Sequence, residues 1–327
     1  MIPVRILGTA SYFPGKLMTT AEVSRMAIPP KDPAVVEAKT GIHTRWLAGP
    51  ELRIADMAAH ALRGAAEAAG IDVRDLKRVI LANSNGGDVI GPATANDTVH
   101  ALGLDNRCDC FDVINACMGW LTALDLGARS VATGLYPVGV VSAEANSRGI
   151  RPDDPRPWLV FGDAAAAAIL VPGRPGEGIL GIKLGNDGSL SRTVYVEHPA
   201  VCRTLESITM AIPNAEIGRI ALEALQGSAA AVLAECGETM ANVDWVLPHQ
   251  PNGVLLDMTI EALGVPREKV VPVVAEIGSV VSASIPVSLD RLFRTRQVLR
   301  GDRILMIGVG SGISYGAALY RVAPEEA

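Results

Sequence analysis

The sequence repeats itself at a spacing close to half its length. A segment that begins at Ala61, ALRGAAEAAGIDVRDLKRVILANSN, aligns with a segment that begins at Ala224, ALQGSAAAVLAECGETMANVDWVLPHQPN. Each is followed by a helical stretch that ends in Ala-Leu-Gly, at residues 101–103 and 262–264. In a chain of 327 residues, this spacing predicts a duplication into two similar halves.

The two halves are expected to meet in the Pro/Gly-rich loop 172–178. Residues 1–172 then form the N-terminal half, and residues 173–327 form the C-terminal half. A Pro/Gly-rich loop suits such a boundary because it favours turns over continuing helices or strands. The boundary also separates the candidate site residues described below, so both halves are expected to contribute to one site.

Within each half, Ala-rich helical stretches alternate with short apolar runs. This alternation predicts an α/β fold. The runs are continuously apolar, which is typical of strands that helices cover on both faces. Abundant Ala and Gly let helices approach sheets closely, so the halves are expected to stack as five layers, α-β-α-β-α, around a shared central pair of helices. The predicted strands include residues 79–82, 138–142, 245–247 and 304–309.

Composition excludes several classes of function. The net charge is -6 and no Lys/Arg run occurs, so sequence-independent nucleic-acid binding is not expected. The most apolar uninterrupted run, residues 164–171, is far shorter than the ~20 residues that cross a bilayer. The N-terminus lacks the features of a signal peptide. We therefore expect a soluble, cytoplasmic protein with no membrane partner.

The cluster Gly308-Val-Gly-Ser-Gly312 follows a predicted strand, as a dinucleotide-binding loop would. Only fifteen residues remain after Gly312, too few for the helix and further strand of a Rossmann unit. Residues 314–322 instead predict a returning strand. Two interpretations stay open: a tight turn whose backbone amides face a ligand, or hairpin glycines alone.

Cys117 differs from the other four cysteines in its position. It lies where a strand-like stretch meets a predicted helix at residues 118–130, and a helix N-terminus can stabilise a thiolate and lower its pKa. The cysteines are odd in number and lack the pairs or companion histidines of a zinc site, so neither a disulfide framework nor a metal site is expected. The others, expected to be small buried residues, are Cys108, Cys110, Cys202 and Cys236.

His249 follows the strand of the second repeat copy and precedes a new helix. In open α/β sheets, catalytic and ligand-binding residues are concentrated at the ends of strands. A histidine at such a position is suited to act as a general base or hydrogen-bond donor. Taken alone, His249 is equally compatible with a structural role, and the position of Cys117 favours a functional role over a packed structural cysteine only slightly. The pair is more informative, because duplicated halves place equivalent strand ends near their shared axis.

Motifs along nearly the whole chain resemble the β-ketoacyl-acyl-carrier-protein synthase III branch of the thiolase-fold condensing enzymes. The resemblance implies a thiolase-like duplicated five-layered fold. It also implies a homodimer, with the strand around Phe111 near the interface. The motifs are Gly8-Thr-Ala-Ser-Tyr-Phe-Pro14, Lys39-Thr-Gly-Ile42, Ala116-Cys-Met-Gly119, Phe161-Gly-Asp-Ala164, Trp245-Val-Leu-Pro-His-Gln250, Ser282-Ala-Ser-Ile-Pro286 and Gly308 to Gly312.

In that family a cysteine, a histidine and an asparagine form the catalytic set, and Cys117 and His249 match the first two. Ser279 stands where the family has asparagine. Val35 stands where family members often carry a tryptophan that contacts coenzyme. The resemblance further implies that the backbone amides of Cys117 and Ser311 form an oxyanion hole, and Asn252 is predicted to bind substrate.

Enzymes of this family first transfer an acyl group to the cysteine and then decarboxylate a malonyl thioester, and replacement of the asparagine affects the second of these half-reactions. Acylation of Cys117 needs backbone amides and is expected to survive, whereas decarboxylation of a malonyl thioester loses one hydrogen-bond donor to the enolate at Ser279. The favoured hypothesis is therefore an acyltransferase without bound cofactor or metal. It moves an acyl group from a carrier-protein or coenzyme A thioester, through acyl-Cys117, to a small hydroxyl or amine acceptor, with His249 as general base and Ser279 orienting its ring.

Two alternatives remain. One is a decarboxylative condensing enzyme that tolerates serine at position 279. The other is a non-catalytic partner subunit of a heterodimer, against which the retained Cys117 and His249 argue. The pocket walls are expected to come from the loops 83–92 and 186–213, which do not reveal the acyl group or the acceptor.

Overall fold

A computed structural model describes residues 1–84, 86–198 and 208–323. The described residues form thirteen strands and ten α-helices. The strands are β1 (Val4–Tyr12), β2 (Lys16–Thr19), β3 (Thr44–Leu47), β4 (Arg78–Ala82), β5 (Asp109–Val113), β6 (Val138–Glu144), β7 (Ala164–Pro172), β8 (Gly178–Asn186), β9 (Val194–Tyr195), β10 (Thr209–Met210), β11 (Trp245–Pro248), β12 (Arg303–Gly310) and β13 (Ser314–Arg321). The helices are α1 (Thr20–Met26), α2 (Pro33–Thr40), α3 (Ile54–Ala69), α4 (Thr94–Ala101), α5 (Gly119–Ala132), α6 (Pro155–Trp158), α7 (Asn214–Cys236), α8 (Gly253–Leu263), α9 (Val274–Ile277) and α10 (Ser284–Thr295).

Two main sheets have matching strand orders. The first runs β1-β7-β6-β4-β5, and the second, read in the same direction, runs β8-β13-β12-β11. In both, an antiparallel pair of strands leads into a parallel pair: β6 with β4, and β12 with β11. A single parallel bridge between Val246 and Val270 occupies the place in the second sheet that β5 occupies in the first. The matching orders are the structural counterpart of the sequence repeat.

Helices cover the sheets in the five layers expected. On one outer face, α3 and α4 pack against the first sheet, and on the other, α7 and α8 pack against the second. Between the sheets lie α5 and α10, whose buried residues, such as Leu121 and Leu289, join a core that includes Ile80 of one sheet and Met306 of the other. The predicted α/β fold is therefore confirmed.

Small residues allow the close packing between helices and sheets. A Cβ added at Gly127 of α5 would lie 2.7 Å from a methyl carbon of Val140, and one at Gly139 of β6 would lie 2.7 Å from a methyl carbon of Leu62 on α3. Both distances are too short for real contacts, so larger residues would push the layers apart. The high Ala and Gly content thus serves the packing role expected from the sequence.

Helix α7 is long and apolar enough to cross a membrane by length and composition alone, the one such helix within the described ranges. One helix of this kind is weak grounds for a membrane span, since core helices pass the same test. Its inner face, including Leu225, Ala229 and Val232, packs against the second sheet. The apolar residues on the inner face of α7 are therefore accounted for by its place in an outer layer of the fold.

Candidate active site

Cys117 lies in a single 3-10 turn, Ala116–Met118, between β5 and the first residue of α5. The turn begins with Ala116 in the left-handed region, at a φ of 43°. It packs closely against the end of β12, where a Cβ added at Gly310 would be 3.1 Å from the Cys117 amide nitrogen. The sequence placed Cys117 at a helix start, and the structure confirms this position.

The Cys117 thiol is protonated at neutral pH in the resting protein. The pKa of the thiol is raised from its ordinary value to about 12, mainly by desolvation and also by the nearby Glu144 carboxylate, while the backbone amide of Cys117 itself lowers it. The expectation that a helix N-terminus would lower the pKa of this thiol is therefore wrong. The amide acts in the expected direction, but desolvation is the larger effect.

His249 follows β11 directly, as predicted, and its backbone amide donates a 2.8 Å hydrogen bond to the carbonyl of Ile307 on β12. The residue is 3% exposed, and burial lowers its pKa to about 4. The imidazole is therefore neutral at physiological pH, with one nitrogen able to accept a proton and the other able to donate a hydrogen bond. Its Nδ1 atom has no hydrogen-bond partner within the described parts of the chain.

Ser279 is buried beside the segment 160–162. Its amide donates to the carbonyl of Val160 at 2.9 Å, and its carbonyl accepts from the amide of Gly162 at 3.0 Å. Gly278, immediately before it, has a φ of 72° and packs against Val160. This pairing uses only the main chain of Ser279, so it fixes the position of the residue without consuming its hydroxyl.

The predicted residues lie at one end of the two sheets. The Cys117 turn packs against a second 3-10 turn, Val281–Ala283, which begins two residues after Ser279. His249 follows β11, and the neighbouring strand β12 ends at Gly310, against the Cys117 amide. Ser311 begins the tight turn that joins β12 to β13, which confirms the returning strand. Both sequence halves therefore contribute to one region around the thiol.

Comparison with known proteins assigns the chain to a family. The family described as "3-Oxoacyl-[acyl-carrier-protein (ACP)] synthase III" matches residues 111–188, and its C-terminal counterpart matches residues 233–322. A protein of Methylococcus capsulatus named "Beta-ketoacyl-[acyl-carrier-protein] synthase III" is 35% identical over 320 residues, which cover 97% of this chain and 98% of that protein. The chain belongs to the β-ketoacyl-acyl-carrier-protein synthase III family.

Solved structures agree with this assignment. The 3-oxoacyl-[acyl-carrier-protein] synthase III of Aquifex aeolicus VF5 superimposes with a TM-score of 0.89 at 28% identity, over 97% of this chain and 99% of that one. The priming β-ketosynthase from the R1128 polyketide biosynthetic pathway has a TM-score of 0.88 at 31% identity, over 98% of this chain and 96% of that one. The thiolase-like fold implied by the sequence motifs is thereby confirmed.

The structure also shows where Asn252 and Val35 lie, the two other positions interpreted from the synthase III motifs. The Asn252 side chain caps α8, since its Oδ1 accepts a 2.8 Å hydrogen bond from the Leu255 amide. A substrate role for Asn252 stays a prediction beside this capping role. Val35 lies on α2 and is 47% exposed, so the position at which synthase III relatives often carry tryptophan is an open surface here.

Three of the remaining cysteines lie outside the region around Cys117, His249 and Ser279. Burial raises the thiol pKa of Cys108, Cys110 and Cys236, all free and only partly buried. Cys202 is outside the described residues, as is part of the predicted wall loop 186–213. The described residues contain no group of three or more His, Cys, Asp or Glu side chains that would hold a metal ion.

Sequence reasoning missed Glu144, the last residue of β6. It is fully buried, and its carboxylate accepts hydrogen bonds from Ser84 and Ser282. Burial raises its pKa to about 7, while these hydrogen bonds lower it. The sequence does contain an indication of this role: Glu144 directly follows the apolar run of β6, and an acidic residue buried at such a position usually has a partner.

Proposed function

We propose that this protein is a decarboxylative condensing enzyme that joins an acyl group, carried on Cys117, to the carbon of a malonyl thioester. The observation that carries the proposal is the shared location of the Cys117 turn, His249 and the Ser279 segment at one end of the two sheets. Membership of the synthase III family supports it, since relatives matched over almost their whole length are named for this activity.

In the first half-reaction, the Cys117 sulfur bonds to the carbonyl carbon of an acyl thioester. The bond between that carbon and the donor sulfur breaks, and the thiol proton leaves with the departing thiol. The backbone amides of Cys117 and Ser311 are proposed to hold the oxyanion in between, a role that does not depend on their side chains. Because the resting thiol is protonated, the neutral His249 is proposed to take up its proton during the transfer.

In the second half-reaction, the malonyl carboxylate leaves as carbon dioxide and the resulting enolate carbon bonds to the acyl-Cys117 carbonyl carbon. The bond between that carbon and the Cys117 sulfur breaks, and the released thiolate takes up a proton from water to restore the thiol. Neutral His249 donates one hydrogen bond to the enolate oxygen. The Ser279 hydroxyl is proposed as the second donor, directly or through a water molecule, in place of the longer asparagine amide. Loss of one such donor typically costs about 100-fold to 1000-fold in rate, so the step is expected to be slower than with asparagine.

A second candidate is transfer of the acyl group to a hydroxyl or amine without decarboxylation. The sequence favours this transfer because Ser279 lacks the amide of the family asparagine. The comparisons favour the condensing reaction instead. Both candidates use acyl-Cys117 and a carrier-protein or coenzyme A donor, and they differ only in the nucleophile that attacks it.

Single-turnover analysis separates the two candidates. The protein is loaded from a panel of acyl thioesters, and intact mass identifies the acyl group on the enzyme. The isolated acyl-enzyme is then mixed either with malonyl thioester or with a set of small alcohols and amines. The condensing reaction predicts a β-ketoacyl product, whereas ester or amide products with no reaction toward malonyl thioester would support the second candidate.

We also propose that two copies associate through the edge of the first sheet. Among the described residues, strand β5, which contains Phe111, ends that sheet and has no strand partner on one side. Ile114, just beyond β5, is 64% exposed, and Ile90, in the loop between β4 and α4, is 82% exposed. A Cβ added at Gly86 of this loop would lie 4.0 Å from the Ile114 side chain. An unpaired strand edge beside exposed apolar residues favours association with another chain.

A further inference from the structure

Glu144 is a buried acid at which the two halves of the chain meet. One carboxylate oxygen accepts hydrogen bonds from the hydroxyl of Ser84 at 2.7 Å and from its amide at 3.3 Å. The other oxygen accepts from the amide of Ser282 at 3.3 Å and from its hydroxyl. Ser84 follows β4 in the first sheet, whereas Ser282 lies in the turn 281–283 of the C-terminal half.

The same turn contacts the element that carries the nucleophile. A Cβ added at Gly119, two residues after Cys117, would lie 3.3 Å from the Ser282 Cβ and 3.1 Å from the Ala82 Cβ. Val281 also adopts a φ of 47°, an uncommon value for a β-branched residue. Such a conformation persists where its surroundings hold it, and the bonds from Ser282 to Glu144 are contacts that do so.

We propose that Glu144 is a positioning residue that holds the Ser279–Ala283 segment in place against the Cys117 turn by accepting hydrogen bonds from Ser282 and Ser84. Its negative charge also lowers the reactivity of the Cys117 thiol. The proposal rests on Cys117 as the nucleophile of the proposed function. It does not depend on which second substrate accepts the acyl group.

The charges around Glu144 are few. The 116–118 turn contributes the Cys117 thiol, β7 contributes the uncharged Ala164, and the remaining partners are the two serines. Two acids occupy neighbouring loops with partners of their own: Asp88 accepts from the amides of Ile54 and Ala55 and pairs with Arg148, and Asp163 accepts from Ser147. None of the described groups in direct contact with Glu144 is a cation, and its charge raises the pKa of the Cys117 thiol.

The test compares Glu144→Gln with Ser282→Ala in the full-length protein. Glu144→Gln removes the negative charge, so alkylation of Cys117 by iodoacetamide should shift its midpoint to lower pH by about one unit, which equals about tenfold in thiolate fraction. Ser282→Ala keeps the Glu144 charge and removes the hydrogen bond from the Ser282 hydroxyl to Glu144, so its alkylation midpoint should stay near that of the wild type. Both variants should transfer the acyl group from pre-loaded enzyme to malonyl-CoA roughly tenfold to 100-fold more slowly.

Glu177→Gln provides a matched control. Glu177 is 3% exposed and accepts a 3.0 Å hydrogen bond from the Tyr320 hydroxyl, but it lies in the loop after β7, at the opposite end of the strand whose first residue, Ala164, pairs with Glu144. This control should alkylate and transfer as the wild type does. Thermal melting of each variant tests folding.

The proposal is overturned if folded Glu144→Gln has the alkylation midpoint and transfer rate of the wild type. If Glu144→Gln does not fold, Ser282→Ala decides, and a wild-type transfer rate in that variant overturns the proposal. A wild-type enzyme that loads Cys117 but does not react with malonyl-CoA would contradict the proposed condensation instead. In that case the alkylation comparison still decides the role of Glu144.

Discussion

Cys117 and His249 are both uncharged in the resting protein, and burial is the main cause in each. Desolvation disfavours the thiolate at Cys117 and the imidazolium at His249, so their pKa values move in opposite directions, to about 12 and about 4. Neither side chain therefore carries a charge before substrate arrives. The proton of Cys117 must therefore move as the acyl group is transferred, rather than before.

The His249→Gln variant tests the buried, neutral histidine. Because the pKa of His249 is lowered from 6.5 to about 4, the unfolded chain binds a proton more readily than the folded chain as pH falls through this range. The wild type should therefore lose roughly 2 kcal/mol more folding free energy than the variant between pH 7 and pH 5. Urea unfolding at the two pH values measures this, and equal losses would contradict a buried, neutral His249.

Cys117→Ala tests which thiol carries the acyl group. Intact mass should show one added acyl group on the wild type and none on this variant, because only Cys117 lies in the turn beside Gly310. Cys236→Ala, in which another free thiol is removed from the C-terminal half, serves as the control and should load as the wild type does. Acyl label retained in Cys117→Ala would refute the assignment.

The sequence could identify Cys117 and His249 but not their ionisation. Their positions follow from local patterns, a strand that meets a helix and a strand end before a new helix. Their pKa values depend on burial by layers packed from distant parts of the chain, and that of Cys117 depends also on Glu144, which no local motif links to it. The hydrogen bonds from Ser84 and Ser282 likewise arise only from the packing of the two halves.

At the scale of elements, the hairpin of β12 and β13 holds the nucleophile turn by close backbone contact. Gly310→Ala should displace this turn, because the added Cβ would come within 3.1 Å of the Cys117 amide nitrogen and 3.2 Å of the Met118 amide nitrogen. We expect acylation of Cys117 to slow by roughly tenfold to 100-fold, since small displacements at a reacting centre have effects of this size.

Gly218→Ala is the matched control for this substitution. Gly218 lies in α7, where an added Cβ would have no neighbouring atom within 4 Å. Rapid-mix acylation followed by intact mass measures both variants. A Gly310→Ala enzyme that acylates as fast as Gly218→Ala would show that the contact with Gly310 does not position Cys117.

Element types were predictable where a strand or helix has a distinct apolar pattern. The four quoted strands all form, with bounds that differ by one or two residues at most, and the helix predicted at 118–130 forms as Gly119–Ala132. The 3-10 turn at Ala116–Met118 was not predicted. Its conformation depends on contact with Gly310, almost two hundred residues away, rather than on local propensity.

At the scale of the whole molecule, the repeat predicted the two-sheet architecture well. Four strands of each main sheet correspond in order, and one pair of central helices lies between the sheets. The loop 172–178 joins β7 of the first sheet to β8 of the second, although the exact boundary at residues 172 and 173 stays a prediction. The homodimer and the acyl acceptor depend on surfaces and loops that one sequence does not define.

Ile114→Lys tests the proposed association through β5. A charge beside the open sheet edge should oppose pairing with a second chain, so light scattering should show a dimer of 34.2 kDa chains for the wild type and a shift toward monomer for the variant. Ile28→Lys is the control, since Ile28 is 61% exposed but follows α1. A monomeric wild type, or an Ile114→Lys variant that remains fully dimeric, would contradict the proposed interface.

Release of carbon dioxide from malonyl thioester by the acylated wild-type enzyme tests the central claim most directly. We predict release coupled to formation of a β-ketoacyl product. Ser279→Asn should raise the rate by at most roughly 100-fold to 1000-fold, the effect of one oxyanion donor, with acylation of Cys117 nearly unchanged. Transfer of the acyl group by the wild type to alcohols or amines, with no carbon dioxide released from malonyl thioester, would contradict the condensing reaction.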